Sequence, residues 1–279
     1  MPTYSSGKTH LAFVTDGDPG QCLGICHILN ALSWQTQIQN SLTPIWIVGP
    51  QQHEKKILRW FELGSKNRAI RFIAALSHKD DRYYIQLGLN HIIELLRSRD
   101  HLLALDYDHL VLDPFRFPFS LAARGISVSS ETSESFGLEH TGPTASRLQL
   151  KLPKKHYGAS LIFGNAAELK QVGKLWHNAY DDLRPTVSAR YRVEIALALA
   201  AERASIDLVP CPIHVQANFS LPSLECCLFH YGGETTMALM MKEQISQEAR
   251  VLLRKGIREE LIREIALDLT RQLIAHLKV

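Results

Sequence analysis

"HLLALDYDHLVLDPF", residues 101–115, decides the fold. Leu102, Leu103, Ala104 and Leu105 form an apolar run without the alternation of a half-solvated strand. That is how a strand buried on both faces reads. The run is interrupted by Asp106-Tyr107-Asp108, resumes at Leu110-Val111-Leu112, and stops at Asp113-Pro114. Two carboxylates one residue apart at a strand end repel each other and lose hydration. A divalent cation, an Arg or a Lys offsets both costs. Mg²⁺ and Mn²⁺ prefer oxygen ligands and keep positions open for phosphate oxygens. A stray D-x-D elsewhere in a chain is more often a turn cap beside a solvated acid. The apolar residues on both sides argue against that here.

Working outward, strand and helix patterns alternate through the first half. Residues 11–14 read as a strand that runs into the turn-rich Asp16-Gly17-Asp18-Pro19-Gly20. Residues 22–34 and 52–63 read as helices, and 44–50 and 69–74 as strands. Residues 83–97 read as an amphipathic helix with Ile85, Leu89, Ile92, Ile93 and Leu96 on one face. Alternation with apolar strands predicts an α/β fold, a mainly parallel sheet with helices on both faces. Ligands in such sheets bind beyond the carboxyl ends of the strands. Asp16 and the Asp106/Asp108 pair both stand at such ends.

The second half is less regular. Residues 125–131 read as a strand with a polar end, 132–156 as a long loop, and 157–163 as a strand. Residues 165–180 and 187–203 read as helices, 206–212 as a strand, and 227–233 as a short apolar piece ending in His230, Tyr231 and two glycines. From Met237 to the last residue the chain is helical in pattern, and Gly256 is the expected break. The division predicted is a domain over 1–236 and a helical extension over 237–279. The extension's wide apolar stripe must pack on the domain or on a second copy in a homodimer; its mixed-sign polar face argues against a membrane surface.

The 279 residues suffice for a well-buried core. A net charge of +3 without a clustered basic stripe argues against a nucleic-acid partner. No segment approaches a membrane span, and the N-terminus lacks the pattern of a signal peptide. Cysteines 22, 26, 211, 226 and 227 form no C-x-x-C pair and read as reduced thiols, which with the other features points to a cytoplasmic protein.

The string Leu103 to Pro114 resembles the D-x-D signature of GT-A-fold glycosyltransferases, above all the glycogenin and galactosyltransferase-type group (family 8-like). Further pieces stand in the same order. Phe13-Val14-Thr15-Asp16 is similar to the family's first strand, residues 157–163 to its "FNSG" strand, Arg192-Val193-Glu194 to its acidic helix start, and Phe229-His230-Tyr231-Gly232-Gly233 to its late "HFxG" motif. The resemblance implies metal-dependent transfer of a sugar from a nucleotide diphosphate donor, UDP foremost, with retention at the anomeric carbon. The acceptor would be a glycan, a lipid-linked sugar or a small molecule. It also implies roles. Asp106, Asp108 and His230 would hold Mn²⁺ or Mg²⁺. Thr15, Asp16, Asp106, Tyr107 and Asp108 would line the nucleotide. Ser129, Ser130, Tyr157, Ser160 and Gly232 would face sugar or acceptor, and Glu194 and Glu131 would be the catalytic residues, Glu194 as a base or as a hydrogen-bond partner of the donor sugar. The chain departs from the family at three points: Gly158 stands for its Asn and Ser160 for its Gly, Glu234-Thr235-Thr236 stand where a Lys is usual, and the acidic helix has one clear acid, Glu194, rather than two.

Three rivals differ in kind. One is a catalytically inactive sugar-nucleotide-binding or scaffolding protein of the same fold. Another is a haloacid dehalogenase-type phosphatase, whose D-x-D normally opens the chain. The third is a nucleotidyltransferase, which would show a basic glycine-rich loop early; the glycine-bearing loop here is acidic and suits phosphate poorly.

Overall fold

The computed structural model of the chain describes residues 7–33, 42–64, 70–76, 82–113, 125–130, 146, 157–185, 187–219, 222–232 and 235–277. Glu131 and almost all of 132–156 lie outside the described residues. The elements run β1 (Thr9–Val14), α1 (Pro19–Ser33), β2 (Leu42–Pro50), α2 (Glu54–Gly64) and β3 (Ile70–Ala75). A 3-10 helix (Arg82–Gly88) then leads into α3 (Leu89–Leu95), β4 (His101–Leu105), β5 (His109–Val111), β6 (Ile126–Ser130) and β7 (Tyr157–Asn165). The rest is α4 (Ala166–Leu183), α5 (Ala189–Ala204), β8 (Leu208–Pro210), β9 (Gln216–Asn218), β10 (Leu228–His230), α6 (Thr236–Lys255) and α7 (Glu259–Leu277).

The described strands form a seven-stranded sheet in the order β3-β2-β1-β4-β7-β6-β8. Pairs β2–β3, β1–β2, β1–β4 and β6–β8 are parallel; β7 is antiparallel to both its neighbours. The uninterrupted apolar strands have their cause here. Leu11 and Phe13 of β1, Ile45 and Ile47 of β2, and Leu103 and Leu105 of β4 enter one core. Ala12 and Val14, Trp46 and Val48, and Leu102 and Ala104 enter the other. Side chains alternate across a strand, so burial on both faces leaves no polar position. The first core is covered by α1, α2, α6 and α7, the second by α3, α4 and α5.

Helix α1 starts on Asp18, whose Oδ1 accepts from the N–H groups of Gly20 and Gln21, with Pro19 at the first helical position. Asn165 caps α4 by accepting from the N–H of Ala167, and Thr235 caps α6 by accepting from that of Ala238. Gly256, at φ +82°, separates α6 from α7. Both final helices lie on α1, and Met241, Ile245, Ala249, Leu252, Ile262, Leu269 and Leu273 are buried in the same core as Leu11 and Phe13. These residues of the extension's apolar stripe are covered within the chain, while Leu239, Met240, Val251 and Leu267 remain exposed.

Two readings need correction. The stretch 101–112 is not one interrupted strand. β4 ends at Leu105, and β5 belongs to a separate three-stranded sheet, antiparallel to β10, which is in turn parallel to β9. The two aspartates sit in the passage between sheets. The helix expected over 83–97 is 3-10 as far as Gly88, because this segment lies tight on β2 and β3: a Cβ at Gly88 would stand 2.5 Å from Val48 Cγ1 and 2.7 Å from Ala75 Cβ.

Candidate functional site

The register brings the chemistry to one edge. Phe13 of β1 pairs with Leu105 of β4, which pairs with Leu161 of β7. Thr15 and Asp16 therefore leave the sheet beside Asp106. Beyond these ends lies a cavity of about 450 Å³, within the size range of small-molecule sites.

The turn at Asp106-Tyr107-Asp108 is pinned on every side. The Asp106 N–H donates to the Ser160 carbonyl at 2.8 Å, and the Asp108 carbonyl accepts from the Tyr231 N–H at 2.9 Å. Helix α1 passes so close that a Cβ on Gly24 would lie 2.4 Å from the Tyr107 carbonyl oxygen. His109, fully buried, closes the turn: its Nδ1 lies 3.0 Å from the Asp106 carbonyl and its Nε2 2.7 Å from Gln216 Nε2. Burial, then the neighbouring His230, pushes its imidazole down to about 3, so the ring is neutral. Nδ1–H then donates to the carbonyl and Nε2 accepts from the Gln216 amide. The Gln216 amide also reaches Ser160 Oγ at 3.4 Å.

The two carboxylates differ. Asp106 accepts from Gln86 Nε2 at 3.2 Å, and burial followed by the charge of Asp108 raises its pKa. Burial also penalises the charge on Asp108, yet His230 and Lys242 beside it hold its pKa well below the usual range. His230 Nε2 stands 3.3 Å from Asp108 Oδ1, and Lys242 Nζ 3.5 Å from Oδ2. The His230 ring stacks on His109 with centroids 4.8 Å apart. Gly232 leaves the space between them open, because a Cβ there would meet both His230 Nε2 and Asp108 Oδ2.

On β1, Thr15 Oγ1 donates to Gln21 Oε1 at 3.0 Å and accepts from the Gly17 N–H, which holds the loop that presents Asp16. On the other wall Glu194, in the first half of α5, accepts from the Ala159 N–H at 3.4 Å.

Of the residues expected at the site, Thr15, Asp16, Asp106, Tyr107, Asp108, Ser160, Glu194, His230 and Gly232 line this one cavity. Ser129 and Tyr157 do not. Ser129 is buried on β6 opposite Gly158, and Tyr157 starts β7 opposite Ser130. Glu131 lies outside the described residues. Gln21, Tyr83, Gln86, Tyr191 and Lys242 line the cavity without having been expected there. Lys242 had one visible signal, a cation at the edge of the apolar stripe of α6, next to Met241 and three residues before Ile245. The others carry no motif.

Among the described residues no group of three or more His, Cys, Asp or Glu converges so as to hold a metal ion unaided. What exists is a partial donor set. Asp108 Oδ1 is buried 3.3 Å from the His230 imidazole, and the Asp106 carboxylate lines the same cavity. Such a set suits a hard cation whose remaining ligands come from a bound phosphate.

No family model matches the sequence, and no curated protein matches it in sequence. Solved structures match its fold. The galactosyltransferase LgtC, solved in complex with donor and acceptor sugar analogues, aligns at a TM-score of 0.59 and 12% identity over 87% of this chain and 95% of its own. The bifunctional glycosyltransferase WbbM aligns at 0.54 and 13%, over 84% of this chain and 47% of its own. The glycosyltransferase GlyE of Streptococcus pneumoniae aligns at 0.53 and 10%, over 92% and 64%. At these identities the likeness is one of fold. The chain has the α/β fold of GT-A glycosyltransferases, and among the described residues no helix is long and apolar enough to cross a membrane.

Proposed function

We propose that the chain is a glycosyltransferase of the family 8-like group that moves a sugar from a nucleotide diphosphate donor, UDP foremost, with a divalent cation. One observation carries the reading. Asp106, Asp108 and His230 meet Thr15 and Asp16 in a single cavity at the carboxyl ends of the strands, in a fold that LgtC uses with a donor analogue bound.

The nucleoside would lie against Thr15, Asp16 and Tyr107, at the end of β1. Asp106, Asp108 and His230 would hold Mn²⁺ or Mg²⁺ together with the diphosphate. The buried Asp108 carboxylate beside His230 supports this, although the three side chains do not by themselves converge into a metal site among the described residues. Bound there, the cation would supply positive charge to the departing nucleotide. The protein's own contribution is preorganisation. The backbone around Asp106 to Asp108 is held by Ser160, His109, Tyr231 and the close approach of α1, so the carboxylates need no ordering when the donor arrives. Glu194 and Ser160 line the same cavity and would face the sugar. The resemblance implies retention of configuration.

Incubation with a panel of UDP-hexoses and Mn²⁺, followed by ³¹P NMR for released UDP, tests the reading. Slow hydrolysis of one donor, lost in Asp108→Asn, is the expected result. Donor binding without UDP release, with any acceptor offered, would point instead to an inactive nucleotide-sugar-binding protein.

A further inference from the structure

Lys242 is a cation that no motif assigns, and it already touches the site. Its Nζ lies 3.5 Å from Oδ2 of Asp108, a carboxylate only 6% exposed, whose other oxygen faces His230. The lysine stands on α6, a twenty-residue helix capped by Thr235 and packed on α1, so its stem is fixed by a rigid element. It lines the main cavity and also an adjoining one of about 200 Å³ with Asp16, Asp18 and Ser246. The ammonium thus stands at a junction within reach of two groups of anions. The segment after His230, Glu234-Thr235-Thr236, carries no cation of its own.

A bare divalent cation seeking Asp108 meets this resident charge and is repelled by it. A cation arriving with a diphosphate brings net negative charge, towards which the ammonium can turn. We propose, on the donor reading above, that Lys242 is the counter-ion of Asp108 until metal and nucleotide bind, that it opposes entry of the metal alone, and that it moves to the donor's phosphates when the two bind together. The site then loads the two as a pair, and the positive coupling between them is reciprocal. The C-terminal extension is by this route part of the donor site.

The test is Lys242→Met in the full chain, which keeps the stem and removes the charge, with Lys242→Arg as the charge-retaining control. Mn²⁺ alone is titrated by the loss of the free-ion EPR signal, and UDP is titrated calorimetrically at saturating Mn²⁺. Lys242→Met should bind Mn²⁺ alone about tenfold more tightly and UDP with Mn²⁺ about tenfold more weakly, the worth of one charged contact in each direction. Lys242→Arg should stay within threefold of the wild type in both. Opposite signs separate this role from simple damage, which weakens both. If Lys242→Met moves both affinities the same way, or neither, the proposal is overturned and the donor reading stands. A wild-type chain that binds no UDP with or without Mn²⁺ overturns the donor reading and this proposal with it.

Discussion

Gly232→Ala damages the site with little change elsewhere. The new Cβ would stand 2.1 Å from Nε2 and 2.5 Å from Cε1 of His230, and 2.8 Å from Oδ2 of Asp108. The backbone of Gly232 does not share the positive φ of Gly17, Gly125 and Gly256, so alanine meets no conformational penalty and the effect is steric. His230 must move, which breaks its 3.3 Å approach to Asp108 and its stacking on His109. Overpacking of this kind costs about 1–3 kcal/mol, and for a chain of this size that lowers Tm by roughly 2–5 °C. Displacing one charged contact to the ligand and filling the space beside it should weaken UDP binding with Mn²⁺ by about 100-fold. Gly164→Ala is the control: its Cβ would press Ile126 and Leu169 at 3.1–3.2 Å, away from the cavity. It should lower Tm and leave binding unchanged. Thermal melts and UDP calorimetry on the two variants give the comparison. A Gly232→Ala protein that binds UDP within threefold of the wild type would refute the reasoning that His230 and Asp108 contact the donor.

Two other predictions concern charge. Asp106→Asn removes a carboxylate that burial and Asp108 make costly to ionise. Its folded pKa is raised, so the cost is complete above that pKa and disappears as pH falls towards the unfolded value. The variant should gain on the order of 2 kcal/mol at pH 8 without metal, and the gain should shrink towards pH 4 in pH-dependent melts; no gain at pH 8 would contradict the strain assigned to the pair. His27 is buried in α1, its ring nitrogens have no partner among the described residues, and burial pushes it down to about 3. Its folded pKa is depressed, so its contribution is complete above about pH 6.5 and is lost as pH falls towards 3, at roughly 1.4 kcal/mol per pH unit. His109 adds a similar slope. His27→Leu should therefore halve the acid slope of these two rings between pH 6 and 4, and an unchanged slope would show that His27 does not stay neutral.

The sheet was legible because its information is local. Runs such as Ile45-Trp46-Ile47-Val48 and Leu102 to Leu105 carry double-sided burial in their composition. Asp16 and the aspartate pair were legible as strand ends, since a carboxylate cannot continue a buried strand. The change of sheet at Asp106 to Asp108 was not. Leu110-Val111 is as apolar as β4, and only the pairing of Leu110 with Phe229 and His109 with His230, over a hundred residues away, assigns it elsewhere. Nor could the direction of β7 be read: an apolar strand pattern is the same in either sense. Gln86 escaped because helical periodicity does not distinguish a 3-10 segment pressed on β2 and β3 from the start of an α-helix. Lys242 escaped because its partner Asp108 is 134 positions back in the chain, and only the packing of α6 on α1 brings them together.

The most direct measurement is calorimetric titration of UDP into metal-free protein, with and without Mn²⁺, repeated on Asp108→Ala. Binding that needs Mn²⁺ and disappears in the variant is the predicted result. Equal binding by Asp108→Ala, or none by the wild type under either condition, would contradict a donor site built on Asp106 and Asp108.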